Sequence, residues 1–156
     1  MQGDKAVLNQ LNKVLMFKLT SINQYFLHAR MYKNWGLEEL NEKSYKKSIK
    51  DMKQSDQLIE RILFLQGLPN LQQLERLRIG ENPAEMLDCD LQLQNDLMSL
   101  TRQSIALCEK QQDYVTRDLL EDVLEYEEDH VDWIEAQQYL IAETGIQNYL
   151  QSQMGD

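Results

Sequence analysis

Apolar residues recur every three or four positions along most of the chain, the spacing of helices that bury one face. Leu11, Leu15, Ile22, Tyr25 and Ala29 make one stripe, and Leu58, Ile62 and Leu65 a second. Leu87, Leu97 and Thr101 make a third, and Leu120, Val123, Ile134 and Ile141 a fourth. Asp4 is a ready N-cap for the first helix and Gly36 a natural stop. Gly67 and Pro69 end the second. Asn82 followed by Pro83 opens the third, and Asp113 caps the fourth. Gly145 breaks the fourth and leaves room for a short fifth helix. The expected helices span about 4–35, 40–65, 83–110, 113–143 and 146–150. Short first and last links with one long middle link, Gln66 to Glu81, predict an all-α four-helix bundle with a single long crossover.

Six polar residues interrupt these stripes near mid-helix. Lys18 lies on the first stripe, Asp51 and Gln54 on the second, Gln94 on the third, and Glu127 and His130 on the fourth. They should therefore converge inside the bundle. A di-iron carboxylate bundle takes one Glu from each of two helices and a Glu-x-x-His from each of the other two. The fourth helix keeps such a pair, Glu127 and His130, on one helical face. The second offers Asp51 and Gln54 at the same spacing, and the others offer Lys18 and Gln94 where a Glu is needed. Two carboxylates and one lysine give the six a formal charge of about −1 without metal. The expectation is a polar core in which Lys18 pairs with Glu127 or Asp51, with no metal at full occupancy.

The second helix has more apolar surface than one stripe needs. Tyr45, Ile49, Met52 and Ile59 form another seam, matched on the first helix by Leu19, Asn23 and Phe26. Water would cover these in an isolated bundle, which predicts a subunit interface, most simply a two-fold dimer with Met52 facing its own copy. A thioether can ligate haem iron, but a Met on a helix face does not by itself establish a haem.

The chain has 156 residues, 42% of them hydrophobic, enough for one domain over residues 1–156. Its formal net charge of −10 makes it a poor partner for nucleic-acid phosphates. No apolar run approaches a membrane span, and no secretory signal opens the chain. Cys89 and Cys108 form no disulfide or zinc pattern, which fits a cytoplasmic protein.

Four segments now carry a resemblance: Ile22 to Met31 (INQYFLHARM), Ile59 to Leu65 (IERILFL), Gly67 to Leu71 (GLPNL) and Gln147 to Gln151 (QNYLQ). In this order they closely resemble bacterioferritin over essentially the whole chain. The resemblance implies a ferritin-like bundle in a hollow shell of twenty-four subunits around a ferric mineral. It implies one haem b per two-fold dimer, with Met52 as axial ligand and Leu19, Asn23, Phe26, Tyr45 and Ile49 lining the pocket. It places Lys18, Asp51, Gln54, Gln94, Glu127 and His130 at the six di-iron ligand positions, of which only Glu127 and His130 keep the family residue. Lys46 and Lys50 stand where the family often has an inner-wall iron site. It also implies a small ferredoxin docking near the two-fold axis, beside Leu68, Pro69, Asn70, Leu77, Glu81 and Glu85.

The chain then reads as a haem-bearing shell subunit without intrinsic ferroxidase activity, co-assembled with a second, ferroxidase-active bacterioferritin subunit. Two alternatives stay open. One is a homopolymeric bacterioferritin with slow residual oxidation of Fe(II) by oxygen, and the other an electron-transfer cage without a mineral role.

Overall fold

A computed structural model describes residues 1–155 of the chain. Five helices follow one another: α1 (Lys5–Asn34), α2 (Glu38–Phe64), α3 (Pro83–Lys110), α4 (Tyr114–Thr144) and α5 (Ile146–Ser152). α2 begins two residues earlier than the stripe predicts and α5 runs two residues longer.

The caps are local and chemical. The Asp4 carboxylate accepts from the Ala6 and Val7 amides at 2.9 and 3.1 Å. Asn82 accepts from the Glu85 amide at 3.0 Å, and Asp113 from the Thr116 amide at 3.1 Å. Three helix ends close in the same way, with an amide reaching back five residues: Leu37 to Tyr32, Gly67 to Ile62 and Asp113 to Cys108, all at 2.9 Å. The residue inside each loop has positive φ. It is Gly36 at 75° in the first, but Gln66 at 63° and Gln112 at 59° in the others. Gly67 therefore serves close approach instead, since a Cβ there would lie 2.6 Å from Leu8 Cδ2.

Cross-links between helix ends fix the topology. The Gly3 amide donates to the Leu65 carbonyl at 2.9 Å, so α2 ends where α1 begins. Ser104, late in α3, donates to Gln10, and Arg61, late in α2, donates to Thr116 and Asp113 at the start of α4. So α1 and α4 run one way, α2 and α3 the other, and residues 65–82 cross the length of the bundle. The crossover carries no regular structure, so its backbone polar groups need side-chain partners. α1 supplies them. Asn12 donates to the Leu68 carbonyl and accepts from the Asn70 amide, at 3.1 and 2.9 Å. Thr20 accepts from Glu75, Gln24 from Arg78 and His28 from Gly80, at 2.7, 3.0 and 3.2 Å.

The apolar core is split. One cluster, around Leu11, Leu15, Leu58, Ile62, Leu97 and Leu120, fills the end where α1 starts. A smaller one, Tyr32, Leu37, Leu40, Met86 and Tyr149, fills the other end. Ile22 and Ile141, expected in the core, are only half-buried. The crossover widens the buried arc of α1 over Thr20, Gln24 and His28, which leaves Ile22 at the margin beside Leu19 and Phe26. Ile141 packs on the outside of the smaller cluster. Between the two clusters lies a layer of polar side chains.

Candidate metal centre

All six interrupting residues meet in that layer. Lys18, Asp51, Gln94 and Glu127 are fully buried, and Gln54 and His130 nearly so. The Lys18 ammonium donates to Asp51 Oδ1 at 3.0 Å, to the Gln54 amide oxygen and to Glu127 Oε1. The Gln94 amide donates to Glu127 Oε2, and Ser21 donates to Asp51 Oδ2 at 2.5 Å. Ser55, one turn on from Asp51, donates to the Asp51 carbonyl at 2.8 Å.

A seventh residue changes the charge balance expected from the sequence. Lys47 is 1% exposed, and its ammonium lies 2.6 and 2.7 Å from the two carboxylate oxygens of Asp51. It also lies 3.3 and 3.2 Å from the two oxygens of Glu127. The centre therefore holds two ammoniums and two carboxylates, neutral in formal charge, where counting Lys18 alone leaves a deficit. The signal was periodic. Lys47 stands four residues before Asp51, one turn further along the stripe of Asp51, Gln54, Leu58 and Ile62.

Burial alone would raise the Asp51 carboxyl. The Lys18 and Lys47 ammoniums and the Ser21 and Lys47 hydrogen bonds outweigh it and hold the group below the usual carboxylate range. Burial works to lower Lys47, and the attraction of Asp51 and Glu127 overcomes it, so the ammonium is held more tightly than usual. Aromatic faces complete the shell. Lys47 lies 4.8 Å from the Tyr25 ring and 5.2 Å from Tyr126, and Lys18 lies 5.5 Å from Tyr126.

His130 stands apart from this network. Burial, then the nearby Lys47 charge, pushes its pKa well below that of a free imidazole, so the ring is neutral. It packs edge-on to Tyr25 and stacks on Trp133, with centroids 5.1 and 5.6 Å away. Its Nε2 has no hydrogen-bond partner among the described residues, and neither do Gln94 Oε1 and the Tyr25 hydroxyl.

These residues do not fit a dinuclear iron centre. Each carboxylate is already bound to both ammoniums, Gln54 and Gln94 are neutral amides, and a cation brought there would meet two like charges. Among the described residues no group of three or more His, Cys, Asp or Glu side chains is arranged to hold a metal. Lys46 and Lys50 are exposed, Lys46 paired with Glu42 at 2.7 Å and Lys50 lying 5.6 Å from the Tyr126 ring.

The apolar seam lies on the other side of α2. Met52, Phe26 and Tyr45 are 52%, 50% and 41% exposed, Leu19 and Ile49 are half-buried, and Asn23 is exposed. Arg30 lies over the rings of both Phe26 and Tyr45, at 5.7 and 5.3 Å. Leu68, 84% exposed, does not share a patch with Glu81 and Glu85 within one chain. Leu68 is tied to Asn12 and Gly80 to His28, and those sixteen residues of α1 separate the two ends by about 24 Å. No helix among the described residues is long and apolar enough to cross a membrane.

A ferritin-like domain model matches residues 8–143. The chain is similar to a bacterial ferritin of Synechocystis, 44% identical over 99% of both chains. It is also similar to the bacterioferritin of Rhodobacter capsulatus, 42% identical over 96% of this chain and 92% of that one. The bacterioferritin of Mycobacterium avium is likewise 42% identical, over 96% and 94%.

Proposed function

This chain belongs to the ferritin-like family, among the bacterioferritins, and from that premise we propose that it is an iron-storage cage subunit with a haem seat but no ferroxidase centre. The observation that carries the second half is the pairing of Lys18 and Lys47 with Asp51 and Glu127. The two ammoniums neutralise, without iron, the carboxylates that a dinuclear centre would use. Iron oxidation then falls to another subunit type in a mixed cytoplasmic shell of twenty-four, and this chain supplies wall and haem.

The seam supports the haem seat. Met52 presents a neutral thioether half in water on a seam that also carries the exposed side chains of Phe26 and Tyr45, the half-buried Leu19 and Ile49, and the exposed polar Asn23. A two-fold axis through Met52 would offer a planar apolar ligand one sulfur from each side. Bound there, haem b supplies one-electron exchange between an outside donor and ferric mineral. The residues of the seam would exclude water from the ring, and Met52 would hold the iron through a soft, uncharged sulfur. A small ferredoxin is the electron donor in this reading. Its landing surface combines Leu68 with Glu81 and Glu85 only if more than one copy contributes, because one chain holds them apart.

The test is oxidation kinetics on purified homopolymer. Fe²⁺ and oxygen should give no fast phase that saturates at the stoichiometry of a dinuclear site, and adding a bacterioferritin subunit that keeps all six ligands should restore one in the mixed shell. A fast saturating phase from this chain alone would overturn the proposal. A second reading, slow residual oxidation by the homopolymer, is favoured by one feature: Glu127 and His130 are retained and His130 Nε2 is unpartnered. It predicts a slow phase lost in His130→Ala.

A further inference from the structure

Lys47 stands outside the six positions at which the family's ligands fall, yet its ammonium is closer to Asp51 than that of Lys18, at 2.6 against 3.0 Å. It reaches both oxygens of Asp51 and both of Glu127. Those are the two carboxylates any metal in this layer would have to share. The side chain is fully buried, and the rings of Tyr25 and Tyr126 face its ammonium. Four acceptor oxygens and two ring faces compensate the ammonium for lost hydration and hold it against the cost of burial.

We infer that Lys47 excludes metal in its own right, so that restoring the six family ligands would not restore the metal site. The inference rests on the reading that the centre holds no dinuclear metal, and extends it to a residue that ligand matching overlooks. Changing Lys18 to Glu would return one carboxylate. It would leave an ammonium within hydrogen-bond reach of the Asp51-position and Glu127 carboxylates that would have to hold the metal, and a unit charge against a divalent one at about 4 Å in a buried site is strongly repulsive. An acidic residue or a neutral amide at position 47 would carry no such charge. The overlooked position therefore decides whether the rebuilt ligand set can be filled.

The experiment is a Co²⁺ titration of assembled protein, followed by the visible bands of the bound ion and by calorimetry, with no turnover required. Three proteins are compared: the parent, a four-fold variant (Lys18→Glu, Asp51→Glu, Gln54→His, Gln94→Glu), and the same variant with Lys47→Gln added. The parent should take up no stoichiometric Co²⁺. The five-fold variant should bind at least about a hundredfold more tightly than the four-fold variant, the ratio expected from removing one buried like charge. Equal affinity in the two variants overturns the inference and leaves the proposed function standing, as does failure of both to bind. Two Co²⁺ per subunit in the parent overturns the proposed function instead. Should the four-fold variant fail to assemble, Lys18→Glu with Gln54→His is compared with and without Lys47→Gln. Binding must again appear only when Lys47 is gone.

Discussion

The Lys47 ammonium straddles the Asp51 carboxylate, 2.6 Å from one oxygen and 2.7 Å from the other, across a single turn of α2. Both groups are wholly buried, and Glu127 and Lys18 close the set to two positive and two negative charges. Breaking a buried set of this kind by removing one member leaves an uncompensated charge, which costs about 3–5 kcal/mol. Lys18→Met and Lys47→Met should therefore each lower thermal stability markedly. Lys18→Met with Glu127→Leu removes one charge of each sign and leaves Lys47 on Asp51, so it should cost less than either single change. Melting curves of the four assembled proteins give the order, and a double variant weaker than both singles would show that the charges are not coupled.

Haem retention should separate from shell assembly at position 52. Met52 lies on an exposed seam and takes no part in the core clusters, so Met52→Leu should leave the bundle and its assembly intact. The haem absorption bands should vanish or shift in Met52→Leu, and change ligand character in Met52→His. Bands identical to the parent in Met52→Leu would remove Met52 from the haem.

The backbone of the crossover should be held by α1 one hydrogen bond at a time. His28 is wholly buried, accepts from the Gly80 amide at 3.2 Å and bonds Asp90 at 2.9 Å through its other nitrogen. Gln24 donates to the same Asp90 oxygen at 2.8 Å. Gln24→Leu should leave the part-buried Arg78 amide without its acceptor and Asp90 with His28 as its remaining partner, at about 1–3 kcal/mol for the unsatisfied amide. Amide hydrogen exchange should speed up at residues 75–80 while mid-helix amides of α2 stay protected. Unchanged exchange in the crossover would mean that side chains of α1 do not hold it.

Much of this architecture was legible because its signals are local. Asp4, Asn82, Pro83 and Asp113 start helices by capping chemistry that needs no tertiary context, and each does so here. The convergence of Lys18, Asp51, Gln54, Gln94, Glu127 and His130 followed from helical period alone. The ends of the four long helices were legible to within one residue, although Gln66 and Gln112 take the positive φ that glycine normally marks. The crossover latch was hidden: Asn12, Thr20, Gln24 and His28 resemble ordinary surface polar residues until a loop lies over them. Lys47 is masked by its neighbours, because a lysine among Lys46, Lys50 and Lys53 looks like part of a solvated face.

The start of α4 gives a pH prediction independent of the polar centre. Asp113 caps α4 through Thr116, accepting from its amide at 3.1 Å and its hydroxyl at 2.6 Å, and pairs with Arg61 at 3.0 Å. Burial acts to raise its pKa, but the Thr116 hydrogen bonds and the Arg61 charge prevail and hold it below the usual value. A carboxyl depressed on folding binds its proton more readily in the unfolded chain. Its contribution is therefore fully present above the unfolded pKa, about 3.9, and is lost as pH falls through the lower folded value. Asp113→Asn keeps an acceptor for the Thr116 amide but no charge for Arg61, so near neutral pH it should cost about 1–2 kcal/mol. The gap between the two proteins should stay constant from neutral pH down to about pH 5 and then close as the parent's carboxylate is protonated. Melting temperatures across that range measure it. A gap that widens on acidification would place the folded pKa of Asp113 above its unfolded one and reverse the sign of the argument.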